Sequence, residues 1–424
     1  MSHGRRTVDL VERDGYLHVG SLRLAELAER VGTPFALYDA DAIIERFYRF
    51  VEAFSSLRAM ICFGVDACPN AHVMRRLVKR GAALRVRSAT DLERAWICGA
   101  PLSRVVYSGL GKADMDIRAA LDGLYSPLFQ AGRLVEGKPP YYRGPVGYFS
   151  IETGAELEQI HRIAGGVRIA CRALIHVCLD CCRQSAFGLS PAEAIDLFDR
   201  FGNEPRVRLA GLRIHLGPRG YATDAMRTGT QRLCELAQTI VDRGASLEAI
   251  DIGGGFGCDL FDPAAPSPAD YARAVEPLLA PWVERGLKII AEPGWSIIGA
   301  GSLLVSRVLS SRPCEDGRLA AAEAVPGEPG AAPAPARLLT PTLPRAEGMS
   351  TIAGIDNASR QVRVPVCCEP GDVLAFPGGG AYARRDNPAC AEVLLEQSRV
   401  FVIRPRTSPL DDIEPELESH EVLL

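Results

Sequence analysis

Lysine is nearly absent from this chain. Of its 424 residues, 48 are Lys or Arg, and the only lysines are Lys79, Lys112, Lys138 and Lys288. Chemistry that needs a primary amine therefore has few candidates. A surplus of charge is missing too. The 48 basic residues face 52 acidic ones, for a net charge of −4. That balance gives no basis for a nucleic-acid partner or an anionic membrane surface. No uncharged apolar run reaches the roughly 18 residues of a membrane span. The opening MSHGRRTVDLVERDG lacks the apolar stretch of a secretory signal. The expected location is the cytoplasm, where the 13 cysteines stay mostly reduced.

What is present is ordinary globular composition, with 47% hydrophobic and 24% charged residues. At roughly 150 residues per domain, the length suits two to three domains. Cys178, Cys181 and Cys182 form a C-x-x-C-C cluster near His176, which resembles half of a zinc site. The adjacent Cys367 and Cys368 are poorly spaced to supply the other half, so no metal is expected.

From Thr33 onward, short apolar runs alternate with amphipathic helical stretches, about nine times. FALYDA, AMICFGVDA, ALRVRS, RVVYSGL, YFSI, VRIACRALI, RLAGLRIHLG, LEAIDIGGGFG and KIIAEPG read as strands, each followed by a helical pattern except the last. Repeated β-then-α units predict parallel strands with helical crossovers, and the count favours a closed (β/α)8 barrel over an open sheet. The expected domains are an N-terminal segment, 1–33, and a barrel over 34–300. An antiparallel β-domain is expected from 301–311 and 349–408. The Ala/Pro/Gly-rich stretch 312–348 reads as a disordered insertion, and 126–146 as a surface insertion. The acidic tail 409–424 is expected to fray.

Four features carry candidate chemistry. Gly253, Gly254 and Gly255 in DIGGGFG follow a strand, where amides unshielded by Cβ form an anion nest, or simply a tight turn. Glu292 in AEPG ends the last barrel strand and reads either as a residue of the mouth or as half of a structural salt bridge. His215 in RIHLG also ends a strand, as a functional group or a packed core histidine. Tyr382 lies in FPGGGAYA, which by itself is an aromatic in a glycine-rich turn.

The ordered series TPFALYDADAI, RLVKRGAALRVRSATDLERA, YSGLGKADMDIRAAL, YFSIETGAELEQI, GLRIHLG, DIGGGFG, AEPG and GDVLAFPGGGAYA resembles the fold-type III pyridoxal-phosphate decarboxylases, which act on diaminopimelate, ornithine, arginine and related amino acids. The resemblance spans residues 30–312 and 350–406. It implies an alanine-racemase-like barrel that holds pyridoxal phosphate, a β-domain built from both termini, and a head-to-tail dimer with active sites at the interface. It also implies site roles. His215 would stack on the pyridine ring, Glu292 would partner its nitrogen, and Gly253 to Gly255 with Arg168 and Tyr382 would complete the cofactor site.

The departures from the family pattern are concentrated in that site. Where the resemblance implies an imine-forming lysine, in a Tyr-Ala-Val-Lys-Ala-Asn pattern, the sequence reads Phe63-Gly64-Val65-Asp66-Ala67-Cys68. A carboxylate cannot form an imine. Arg85 stands where an aspartate is implied, so Asp66 and Arg85 read as a charge swap and an expected ion pair. Trp295 replaces a phosphate-binding arginine, Pro218 a serine, and Ala186 the basic residue of a (Lys/Arg)-Phe-Gly motif. Gly354-Ile355-Asp356 stands near an implied Cys-(Glu/Asp) pair. The expectation is a degenerate homologue without standard decarboxylase activity. It would act as a homodimer, or as a regulatory partner in a heterodimer with an active relative, with a small amino acid as a candidate ligand. The alternative is an enzyme that uses non-covalent pyridoxal phosphate or Lys112, the one lysine expected on the mouth side, with Asp66 as a general base.

Overall fold

The computed structural model describes residues 8, 10–126, 144–179, 188–202, 204–217, 222–258, 265–315, 317–326, 336–339, 348–354, 361–386, 389–408 and 411. The chain divides into two compact units, Ile44–Ile297 and the combination of Met1–Ile43 with Ile298–Leu424.

The second of these begins with a three-stranded antiparallel sheet, β1 (Leu10–Arg13), β2 (Tyr16–Val19) and β3 (Leu22–Arg23), followed by helix α1 (Leu24–Val31). Strand β4 (Phe35–Asp39) comes next, then helix α2 (Ala40–Ala53). The Asp39 carboxylate caps α2 by accepting from the amides of Asp41 and Ala42.

The barrel strands are β5 (Met60–Gly64), β6 (Ala83–Val86), β7 (Val105–Tyr107), β8 (Tyr148–Ile151), β9 (Cys171–His176), β10 (Val207–Arg213), β11 (Ala249–Asp251) and β12 (Lys288–Ala291). They pair in sequence order, all parallel, and close when β12 meets β5. Between them run α3 (Ala71–Val78), α4 (Ala89–Ile97), α5 (Asp114–Leu121), α6 (Gly154–Val167), α7 (Pro191–Phe201), α8 (Thr223–Asp242) and α9 (Pro268–Glu284). Side-chain caps fix several of these starts. Ser88 accepts from the Asp91 amide, and Ser190 and Ser267 each form a capping box ahead of a proline.

Strand alternation decides what faces the barrel interior. One buried apolar layer takes Met60, Cys62, Ala83, Val106, Tyr148, Leu174, Ala210, Ala249 and Ile290, with every strand contributing. Two residues further along, toward the C-terminal ends, the same phase reaches Arg85, Ser108, Ser150, His176, Asp251 and Glu292. All of these are polar, and all are buried. The barrel is thus plugged by hydrocarbon below and by charge at its mouth.

After the barrel come β13 (Ser302–Cys314), β14 (Gly317–Ala322), β15 (Arg337–Leu338), β16 (Ser350–Gly354), β17 (Gln361–Val364), β18 (Val373–Pro377), β19 (Ala391–Glu396) and β20 (Arg399–Arg404). With β4 they form a nine-stranded sheet ordered β17-β16-β14-β13-β4-β19-β20, with β18 on β13 and β15 on β18. Its core joins Leu17, Val19, Leu24 and Leu27 from the N-terminal segment to Phe35, Leu37, Leu303, Val305 and Val393.

Three expectations need correction. The strand FALYDA is not a barrel strand. As β4 it pairs antiparallel with β13 and parallel with β19, so the barrel strands begin at Met60 and the ninth unit belongs to the other sheet. The β-domain is mixed rather than antiparallel, because β14–β16 and β4–β19 run parallel. The stretch 312–348 is not a featureless insertion. Its described parts finish β13 and form β14 and β15, with Ala320 and Ala322 buried. Alanine and glycine give little strand signal, so pairing with β13 and β16 decides this segment, not composition. Most of 126–146 and nearly all of 409–424 lie outside the described residues.

Candidate active site

The barrel mouth holds a chain of alternating charges. Asp66 follows β5 in a short turn, Val65–Ala67. Its carboxylate accepts from Arg85 at Oδ1 and from Arg87 at 3.3 Å on Oδ2. Arg85 turns its Nε toward Glu292 at 3.6 Å. Arg213 caps both oxygens of Glu292, donating from Nη2 at 2.7 Å and Nε at 3.3 Å, and its Nε lies 3.6 Å from Asp251 Oδ2. The side chains of Glu292 and Asp251 are 0% exposed, and that of Arg213 is 4% exposed.

Burial alone would push these carboxyl groups up. For Asp66, Arg85 and Arg87 outweigh that effect and hold the group below its ordinary range. Glu292 is likewise buried, yet Arg213 and Arg85 pull it down. Asp251 moves the other way. Burial and the adjacent Glu292 charge raise it, so the pair shares its anionic charge unevenly and Glu292 carries it.

A second cluster lies on the strands opposite. Lys112, after β7, donates from Nζ to Glu156 Oε1 at 2.6 Å, to the Gly109 carbonyl at 2.6 Å and to the Ser150 carbonyl at 3.0 Å. Those three bonds use all three ammonium protons, and the side chain is 1% exposed. Burial, the largest influence, lowers its pKa, while Glu156 opposes that shift. Next to it, His176 Nδ1 donates to Glu152 Oε2 at 2.5 Å, and Ser150 Oγ donates to Glu152 Oε1 at 3.3 Å.

The glycine loop is drawn inward. The Gly253 amide donates to Asp251 Oδ1 at 2.8 Å, and the Gly254 amide to His215 Nδ1 at 3.3 Å. Gly253 has φ +66°, and a Cβ there would lie 1.9 Å from the Ile214 carbonyl oxygen, so no other residue fits. Because His215 Nδ1 accepts a hydrogen bond, the ring is neutral. Desolvation, then Arg213 and Arg85, bring its pKa down to about 3.

The structure therefore brings together Asp66, Arg85, His215, Gly253, Gly254, Gly255 and Glu292, and it shows the expected Asp66–Arg85 pair. For Glu292 the two readings merge, since it stands at the mouth and in a salt bridge. Arg168 needs correction. It is the left-handed C-cap of α6, before β9, at the end of the barrel away from the mouth. Tyr382 has φ +61° in the β-rich unit. Trp295 is buried. Pro218, Ala186, Asp356, Cys181, Cys182 and Lys138 lie outside the described residues. Among the described residues no group of three His, Cys, Asp or Glu is placed to hold a metal, and no helix is long and apolar enough to cross a membrane.

Sequence reading missed Arg213 and the Glu152–His176 pair. Arg213 was hidden by phase. Strict alternation from the inward Ala210 would point Leu212 inward, but a bulge between Leu209 and Gly211 shifts the register and aligns Arg213 with His176 on the inner face. Gly211 permits this, since a Cβ there would sit 1.9 Å from the Ala249 carbonyl oxygen. The signal for Glu152 was its place just beyond the end of YFSI.

A sequence model described as "Pyridoxal-dependent decarboxylase, pyridoxal binding domain" matches residues 40–299. The chain belongs to this family. Diaminopimelate decarboxylase of Pseudomonas fluorescens is 27% identical over 93% of this chain and 95% of its own length. The Aquifex aeolicus enzyme of the same name is 26% identical over 96% and 97%. Among solved structures, AQ1208 from Aquifex aeolicus superposes with a TM-score of 0.80 at 26% identity, covering 97% of this chain and 98% of that one. Diaminopimelate decarboxylase from Helicobacter pylori, solved with L-lysine, gives 0.74 at 23% identity over 93% and 99%, a likeness of fold.

The family implies pyridoxal phosphate as cofactor. The residues at this mouth do not fit it as a covalently anchored group. The side chain that follows β5 is a carboxylate in an ion pair. Among the described residues the one mouth-side lysine, Lys112, is buried with every proton bonded, and Lys79 and Lys288 are exposed on α3's C-cap and at the opposite end of β12. The carboxylate expected to meet a ring nitrogen is already capped by Arg213, and two amides of the glycine loop are spent on protein acceptors.

Proposed function

We propose that this chain is a decarboxylase-family protein that has given up decarboxylation and serves as a binding or regulatory subunit, paired with an active relative of the diaminopimelate decarboxylase type. One observation carries the reading: Lys112, the only candidate amine at the mouth among the described residues, is locked by three hydrogen bonds, while Asp66 is ion-paired at the position that the resemblance gives to the imine lysine. An amine that must attack a carbonyl has to be neutral and accessible, and Lys112 is neither free nor exposed. If the mouth takes a ligand, an amino acid suits it best, with Arg87, whose side chain is 52% exposed, as the cation that reaches solvent.

The test begins with purified protein, pyridoxal phosphate and borohydride, followed by peptide mapping. The expected result is no stoichiometric lysine adduct. A single adduct on Lys112 with release of carbon dioxide from diaminopimelate or ornithine would overturn the proposal. The subunit role is tested by co-expression with a diaminopimelate decarboxylase from the same organism. A stable mixed oligomer with altered kcat supports it, and separate elution with unchanged kcat sinks it.

A further inference from the structure

The mouth is not simply missing parts; it has been refilled. We infer that Arg213 is a built-in replacement for the cationic ring of the cofactor, held against Glu292 so that the centre is charge-neutral without any cofactor. The inference deepens the function proposed above and rests on its claim that the site lacks a covalent anchor.

A protonated pyridine ring needs a carboxylate oxygen with a lone pair free in the plane of the ring. Each oxygen of Glu292 already accepts from Arg213, so a ring N–H arriving there would have to compete with a buried guanidinium for the carboxylate. Asp251, on the adjoining strand, accepts from the Gly253 amide at Oδ1, and its Oδ2 lies 3.6 Å from Arg213 Nε. The charge balance agrees. Among the buried groups, Arg85 and Arg213 neutralise Asp66 and Glu292, and Asp251 sits where its proton is favoured; Arg87, also on Asp66, keeps half of its side chain in solvent. A further cation against Glu292, beyond Arg213 and the nearby Arg85, would be uncompensated in a buried site, where unpaired charge is expensive. Nor is Arg213 a side chain that merely happens to lie nearby. The bulge between Leu209 and Gly211 turns it inward, and Gly211 is required by the close approach of Ala249.

The test uses the full-length chain and three proteins: the unaltered chain, Asp66→Lys/Arg85→Asp, and Asp66→Lys/Arg85→Asp/Arg213→Ser. Each is equilibrated with pyridoxal phosphate, desalted, reduced with borohydride and mapped. The expected result is no specific adduct for the first two, and one cofactor per chain at position 66 for the third. Equal uptake by the double and triple variants would show that Arg213 is no barrier and overturn this inference while leaving the proposed function standing. A stoichiometric lysine adduct on the unaltered chain would overturn the proposed function itself. Failure of a folded triple variant to take up cofactor counts against the inference as well. Should the triple variant not fold, pyridoxamine phosphate, which needs no lysine, is titrated into the unaltered chain and Arg213→Ser. Binding tighter by about tenfold or more in Arg213→Ser is expected, and equal affinity refutes the inference.

Discussion

Replacing Arg213 by methionine tests the charge network as a source of stability. The guanidinium serves Glu292 at 2.7 and 3.3 Å and lies 3.6 Å from Asp251, all nearly without solvent. At an effective dielectric of about 20, two unit charges about 4 Å apart attract by about 4 kcal/mol. Removing one partner of a buried pair typically costs 3–5 kcal/mol, roughly, because the other charge is stranded. Two features soften the loss. Arg85 remains 3.6 Å from Glu292, and Asp251 readily holds a proton. The expected cost is therefore about 3 kcal/mol, or about 6 °C in the melting temperature of a unit of this size. All three tryptophans, Trp96, Trp282 and Trp295, lie in the barrel unit, so intrinsic fluorescence during urea or thermal unfolding reports that unit. The double variant Arg213→Met/Glu292→Gln should lose clearly less than the sum of the two single losses, with a coupling of about 2 kcal/mol. A single-variant loss below about 1 kcal/mol, or strict additivity, would refute the claim that these residues act as a unit.

Further predictions follow from the neighbouring contacts. Lys112→Met strands the Glu156 carboxylate and leaves two carbonyls without their donor, so a loss of about 3 kcal/mol is expected in the same fluorescence assay. Gly253→Ala sets a Cβ 1.9 Å from the Ile214 carbonyl at φ +66°, and soluble yield and melting temperature should both fall, by more than the 1–3 kcal/mol, roughly, of backbone strain alone. The neutral histidines set an acid limit. The pKa values of His215 and His176 are lowered on folding, so the unfolded chain binds the extra protons as pH drops below about 6.5. Stability should then fall by up to about 1.4 kcal/mol per pH unit for each histidine, down to the folded-state values. Asp66, also lowered, adds loss in the same direction below about 4. Asp251, raised, opposes it by favouring the fold as pH falls toward its unfolded value near 4. Urea midpoints from pH 8 to 4 check the sign, and a flat profile between pH 6.5 and 5 would contradict the neutral-histidine assignment.

The sequence by itself determined the barrel and most of its mouth. Parallel βα repetition leaves few topologies, and motifs at strand ends reach the C-terminal face of a barrel because alternation carries them there. That logic located Glu292, His215 and the glycine loop, each within a few residues of a strand end, while the Asp66–Arg85 pair came from comparison with the family pattern. It failed where pairing partners are distant in the chain. FALYDA has the same local pattern as a barrel strand, and only its ladders to β13 and β19 show which sheet it joins. GRLAAA lacks strand propensity altogether and is a strand because two neighbours supply its hydrogen bonds. Arg213 escaped because one bulged residue reverses the inward phase of β10, an event decided by the backbone packing of β9, β10 and β11. Arg168 was misplaced for a related reason, since a matching string says nothing about which end of the barrel it occupies. The sequence placed Asp66 and Arg85 at strand ends, but only tertiary structure showed that they join Arg213 and Glu292 in one buried charge network. Buried charges must be neutralised by whatever lies beside them in space.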